Sequence, residues 1–221
     1  MAPTKDAQRL RRAAERKGKA EDQYQLAILL NTGGEGLKQD LVAAAKWLSK
    51  AAAQGHAYAQ YGLGMCYYNG EGVDQNRALG ATWVSKAADH GDVTAQGALG
   101  VLYHEGQGVE QNDSLAVAWL EKAAVGNDIT SQFNLGLGYT RGGFGLTKNA
   151  HCAKIFMMAA ADNGQRPRTG PQRSEGAACV RGMRHPGRQP RVPGLHVRDG
   201  PQHGSLLHPR VPEGALGGSQ G

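Results

Sequence analysis

Apolar residues return along this chain in one recurring pattern. From Ala59 to Tyr67 the positions Ala59, Leu63, Gly64 and Tyr67 fall at i, i+4, i+5 and i+8, which is the spacing of one helix face and not the alternation of a strand. Gly70-Glu71-Gly72-Val73 breaks that helix with two residues free to adopt positive φ. A second helical pattern begins behind Asn76, a residue able to cap an orphan backbone N–H. Ala78, Leu79, Trp83 and Ala87 are its expected apolar face, and Gly91 is its expected end. The pattern therefore predicts a pair of helices joined by a short turn.

The pair recurs with a step of 36 residues: Trp47, Trp83 and Trp119, with Lys-Ala-Ala at 50–52, 86–88 and 122–124. Gln60, Gln96 and Gln132 keep the same step, as do Gly64, Gly100 and Gly136, and Tyr67, Tyr103 and Tyr139. The first copy has one inserted residue near Gly33; the fourth has one near Gly142 and carries Phe156 in place of Trp. A glycine inside a helix costs about 1 kcal/mol relative to alanine, so a glycine kept at one register implies that another helix approaches closely there. Asp40, Asn76, Asn112 and Asn149 stand where the second helices need caps, and Asp92 and Asp128 can cap the next first helices. One such pair cannot bury its own apolar face, and stacking at least three of them solves that problem. The fold class predicted is all-α, a right-handed α-α superhelix (solenoid) of stacked helix pairs with a groove lined by the first helices. The units run over 20–55, 56–91, 92–127 and 128–164.

Outside the array, residues 1–19 read either as a lone capping helix with a charged outer face or as a solvated tail, since Ala13-Ala14 and Gly18 match Ala87-Ala88 and Gly91. Charge changes the picture only at the other end. Residues 1–164 carry 16 Lys plus Arg against 16 Asp plus Glu, whereas 165–221 carry nine Arg, no Lys and three acids, so the whole net charge of +6 lies there. That segment also holds eight of the nine prolines and eleven glycines, with no Trp, Tyr, Phe, Ile, Lys or Asn. It cannot bury a core and is expected to be disordered. Two accounts fit it: an authentic arm for nucleic acid or an anionic surface, or the product of a slipped reading frame, which the break at the start of a fifth unit favours and which would make the array a truncated one. Three cysteines, Cys66, Cys152 and Cys179, are too few for a disulfide framework. With no apolar run of spanning length and no secretory h-region near the start, a cytoplasmic or otherwise intracellular, soluble protein is expected.

The residues A-Q-x-x-L-G-x-x-Y-x-x-G-x-G-V followed by A-x-x-W-x-x-K-A-A-x-x-G resemble the Sel-one-like repeat, a relative of the tetratricopeptide repeat, over roughly residues 20–164. The first copy departs from it with Ala27 for the glycine and Leu30 for the tyrosine. The resemblance implies a non-catalytic scaffold or adaptor that assembles protein complexes. A secreted branch of the family carries a cysteine pair in every repeat, which this chain lacks.

Candidate chemistry is thin. Gly70-Glu71-Gly72 follows a helix and recurs, so it is a turn and not a phosphate loop. Cys66 has no histidine in register and reads as a structural thiol. His56, His90, His104 and His151 lack ligand spacing. No catalysis, cofactor or metal is expected. The informative signal is a stripe on the first helices at i, i+4, i+7, pointing away from Leu63 and Tyr67. It holds Tyr24 and Ile28, then Tyr61, Met65 and Tyr68, then Gly97, Val101 and His104, then Phe133, Leu137 and Thr140. A solvated face rarely carries so many apolar groups. Two explanations stand: the stripe lines the groove and receives a partner peptide or helix, or packing between neighbouring units covers it. A protein partner is expected on the first explanation; nucleic acid is expected only if the Arg-rich segment is authentic.

Overall fold

A computed structural model describes residues 3–16 and 18–165; the expectations for 166–221 lie outside the described residues. Among the described residues there are nine helices and no strand: α1 Lys5–Arg16, α2 Ala20–Thr32, α3 Leu41–Ala53, α4 Ala57–Asn69, α5 Arg77–Asp89, α6 Val93–Glu105, α7 Asp113–Val125, α8 Ile129–Arg141 and α9 Ala150–Gln165. Each pair α2/α3, α4/α5, α6/α7 and α8/α9 packs most closely within itself, and each second helix then packs on the first helix of the next pair. The result is an α-α solenoid. α1 packs on α2 with Ala7 and Ala14 buried and its arginines in solvent.

The helix boundaries follow from the capping residues. Asp40, Asn76, Asn112 and Asn149 accept hydrogen bonds from the backbone N–H groups of Ala43, Leu79, Leu115 and Cys152 at 2.8–3.0 Å. Asp92 and Asp128 do the same for Ala95 and Ser131. In α4 that position belongs to His56, whose Nδ1 accepts from the Ala59 N–H at 3.2 Å. Gly55 and Gly91 adopt φ near +82° and +87° just past α3 and α5, and after α7 Asn127 takes the same left-handed conformation at φ 67°.

Two glycine registers set how the pairs dock. A methyl at Gly64 would stand 2.8 Å from Val84 Cγ2 and 3.0 Å from the Gly80 carbonyl, and one at Gly100 would meet Leu120 and Ala116 just as closely. The helices of one pair thus approach to backbone contact at this point. Gly72 and Gly108 fix the spacing between pairs: a Cβ there would lie 2.1 Å from the Leu41 carbonyl oxygen and 2.3 Å from that of Arg77. Each turn therefore sits directly on the first residue of the previous pair's second helix.

The core is built between pairs. Ala45, Leu48, Ala51 and Ala52 of α3 join Ala59, Leu63 and Cys66 of α4, and the equivalent residues of α5 and α6 form the next cluster. The expected apolar face of α5 is corrected in one respect. Ala78 is exposed, Leu79 and Trp83 are half-buried, and the fully buried residues are Gly80, Ala81, Val84, Ala87 and Ala88. A second helix is held on two sides, by its own partner and by the next pair, so its buried arc is wider and rotated relative to a one-sided reading. Trp119 is buried, while Trp47 and Trp83 lie at the edge, each under the ammonium of the lysine three residues on, at 3.9 and 4.1 Å.

Candidate functional site

The stripe positions lie on α2, α4, α6 and α8, which present the same register in successive pairs. They divide into two groups. Tyr24, Tyr61, Tyr68 and His104 are half-buried and bound to the neighbouring pair. Tyr24 stacks on His56, with ring centroids 4.8 Å apart. Tyr61 and Tyr68 pack against the cluster of Ala81, Val84, Leu99 and Leu102. Tyr68 also donates its hydroxyl hydrogen to Gln107 Oε1 in the following turn, and Arg77 lies over its ring. His104 Nδ1 contacts Asp113 Oδ1 at 2.6 Å, and its ring meets Phe144 at 4.1 Å. Gly97 is buried, because Ser131 Oγ and Asp128 Oδ2 would lie 2.6 and 3.0 Å from its Cβ.

The second group ranges from half-buried to exposed. Ile28 is 38% exposed and Phe133 47% exposed, while Met65, Val101 and Leu137 are half-buried. Thr140 is exposed and donates to the Gly136 carbonyl at 2.8 Å. Packing between units thus engages Tyr24 on α2 and both ends of the stripe on α4 and α6, leaves the ends Phe133 and Thr140 exposed on α8, and leaves an aliphatic middle of Ile28, Met65, Val101 and Leu137 partly in solvent.

The electrostatics follow the same division. Burial, then the carboxylates of Asp92 and Asp128, raise the Tyr61 phenol above its ordinary range; burial, then Glu21 and Asp92, raise that of Tyr24. Glu21 is held below the usual carboxylate range by the hydrogen bond from Gln25 and then by that of His56. Burial pushes the free thiol of Cys66 up to about 11, so it is a poor nucleophile at neutral pH. Among the described residues no group of three or more His, Cys, Asp or Glu side chains is placed to hold a metal ion, and no helix is long and apolar enough to cross a membrane.

Three structural roles escape a reading of the sequence alone. His90 Nδ1 donates to the buried Gln60 Oε1 at 2.7 Å, and Gln54 and Asn163 make the same bond to Gln23 and Gln132. His56 caps a helix. Tyr58 is 61% exposed and joins the rings of Tyr24 and His56 at 6.2 and 6.0 Å. The clue to Tyr58 is its place three residues before Tyr61, which extends the stripe by one turn.

Helix pairs repeated at this period, with side-chain caps on α3 to α9 and close docking at Gly64 and Gly100, define an α-solenoid repeat protein. The Sel1 repeat family pattern matches residues 20–56, 57–92, 93–127 and 129–165, and the chain belongs to the Sel1 repeat family. It is similar to a protective antigen of uropathogenic Escherichia coli that displays an SLR fold, with 36% identity and a TM-score of 0.67, over 72% of this chain and 33% of that one. It is also similar to a Sel1 repeat protein from Oxalobacter formigenes, with 31% identity and a TM-score of 0.67, over 72% of this chain and 65% of that one. The chain thus spans about a third of the first relative and just under two thirds of the second. No protein with a curated description matches it significantly. Proteins built from this repeat are commonly protein-interaction scaffolds.

Proposed function

We propose that this chain is a non-catalytic, intracellular scaffold or adaptor that binds a peptide or helix of a partner protein along the first helices of its repeats. The binding surface runs over Tyr24, Ile28, Tyr61, Met65, Tyr68, Val101, His104, Phe133, Leu137 and Thr140. The observation that carries this reading is the aliphatic middle of the stripe. Ile28, Met65, Val101 and Leu137 hold one register on four successive first helices, with Phe133 beside them, and each keeps apolar surface open to solvent. Aligned apolar groups of this kind suit an extended segment or an amphipathic helix, and methionine adapts its shape to irregular partners.

Photo-crosslinking tests the placement. A photoreactive amino acid at Met65 or at Phe133 is expected to form an adduct with one and the same partner. The control is Val42, an equally apolar residue 53% exposed on α3, which is expected to form none. Adducts from Val42 with that partner, and none from Met65 or Phe133, would move the binding surface off the first helices.

A further inference from the structure

We propose that the end of this surface formed by Glu21, Tyr24, His56 and Tyr58 is a recognition site for a guanidinium group, so that the partner segment carries an arginine there. The inference rests on the binding surface proposed above and names the chemistry of one of its subsites. Glu21, Tyr24 and Ile28 on α2, and Tyr58, Tyr61 and Met65 on α4, follow i, i+3, i+7 on their helices, so Glu21 and Tyr58 continue the stripe by a turn.

Three aromatic rings gather here, their centroids 4.8, 6.2 and 6.0 Å apart. Tyr24 and His56 are stacked and half-buried, whereas Tyr58 is exposed and belongs to none of the core clusters. The electron-rich face of an exposed tyrosine attracts a cation, and a planar guanidinium stacks on it most readily.

The carboxylate beside these rings supplies the second half of the site. Glu21 Oε1 accepts from Gln25 at 2.7 Å, and Oε2 faces His56 Nε2 at 2.9 Å. His56 cannot neutralise that charge without giving up its cap. Its Nδ1 already accepts from the Ala59 N–H, which requires a lone pair there and places the ring hydrogen on Nε2. The ring is then neutral and donates to Glu21, which keeps its full negative charge. Each carboxylate oxygen retains a second lone pair, and a two-pronged guanidinium can use both.

The test is a titration of the full-length, ¹⁵N-labelled chain with N-acetyl-arginine amide, N-acetyl-lysine amide and N-acetyl-leucine amide, following backbone amide shifts. The arginine compound is expected to give saturable shifts centred on Glu21, Tyr24 and Tyr58, the lysine compound weaker ones, and the leucine compound none. Glu21→Gln and Tyr58→Ala are each expected to weaken the arginine compound about threefold or more, while Tyr58→Phe retains its affinity because the ring is kept. Tyr58 lies outside the core, so these variants should melt with the wild type. Equal shifts with the leucine compound, or wild-type affinity in Tyr58→Ala, would overturn the proposal. Binding of the crosslinked partner separates this inference from the reading beneath it. If Met65→Ser and Phe133→Ser abolish binding but Glu21→Gln and Tyr58→Ala do not, the guanidinium site alone is overturned; if none of the four matters, the binding surface itself is.

Discussion

The side-chain amide of Gln60 donates to the carbonyl of Ala52, 3.2 Å away on the preceding helix pair. Gln96 and Gln132 repeat the bond to Ala88 and Ala124 at 3.2 and 3.0 Å. These glutamines add a second hydrogen bond to carbonyls in the last turn of a helix, which also accept from the backbone N–H groups of Gly55, Gly91 and Asn127 just past it. At its other end Gln60 accepts from His90, and Gln132 from Asn163, so each side chain ties three helices together.

In the third unit the position of His90 and Asn163 is filled by Gly126, which brings no side chain, and Gln96 is correspondingly less buried than Gln60 or Gln132. Replacing Gln60 or Gln132 by leucine should therefore cost about 2–3 kcal/mol, since a buried bond is lost at both ends, and Gln96→Leu about 1 kcal/mol. Urea unfolding of the three variants measures this. An equal loss in all three would mean that the contact to the preceding pair accounts for the whole effect.

The turn glycines separate two causes of the same residue choice. Gly55 has φ 82° and a methyl group added there would meet nothing within 4 Å, whereas Gly72 has φ 73° and the Leu41 carbonyl in the way. Gly55→Ala should cost only the left-handed conformation, about 1–2 kcal/mol. Gly72→Ala must also push two pairs apart and should cost about 3 kcal/mol or more. Thermal melting of both variants compares them, and similar losses would show that the turn can move aside.

Cys66 gives a pH-dependent check on the core. An unfolded thiol titrates near its ordinary 9.0, and burial raises the folded one to about 11. Below pH 9 both states hold the proton and stability is complete. Between 9 and 11 the unfolded chain releases it and the folded chain does not, so stability falls as pH rises, by on the order of 2 kcal/mol. Cys66→Ala lacks that term, and its deficit relative to wild type should shrink across this window. A deficit that stays constant from pH 8 to 11 would place the thiol in contact with water.

Much of this architecture is visible in the sequence because the repeat prints each role several times. The 36-residue step of Trp47, Trp83 and Trp119, the capping Asp and Asn residues and the paired turn glycines each have a local cause, and they appear where that cause acts. Roles that depend on another unit are hidden. Gln60 recurs plainly, yet its partners are eight and thirty residues away. His56 is a cap of unusual type, and the exposure of Ala78 is decided by two neighbours at once. The stripe is legible as a set of positions, but whether a member faces solvent or the next pair depends on what that pair offers: Tyr68 finds Gln107 and the Ala81–Leu102 cluster, while Phe133 is left 47% exposed.

The two groups within the stripe make opposite predictions, and their contrast is the most direct test of the proposed binding surface. Tyr61→Ala with Tyr68→Ala should lower the melting temperature, because both rings pack on the Ala81–Leu102 cluster. Ile28→Ser, Met65→Ser and Phe133→Ser combined should leave melting close to wild type. The decisive measurement is the dissociation constant of the crosslinked partner for this triple variant, taken with its melting curve. A loss of about a hundredfold or more with melting retained is predicted, the scale of two hot-spot side chains. Unchanged affinity in the folded triple variant would contradict the account.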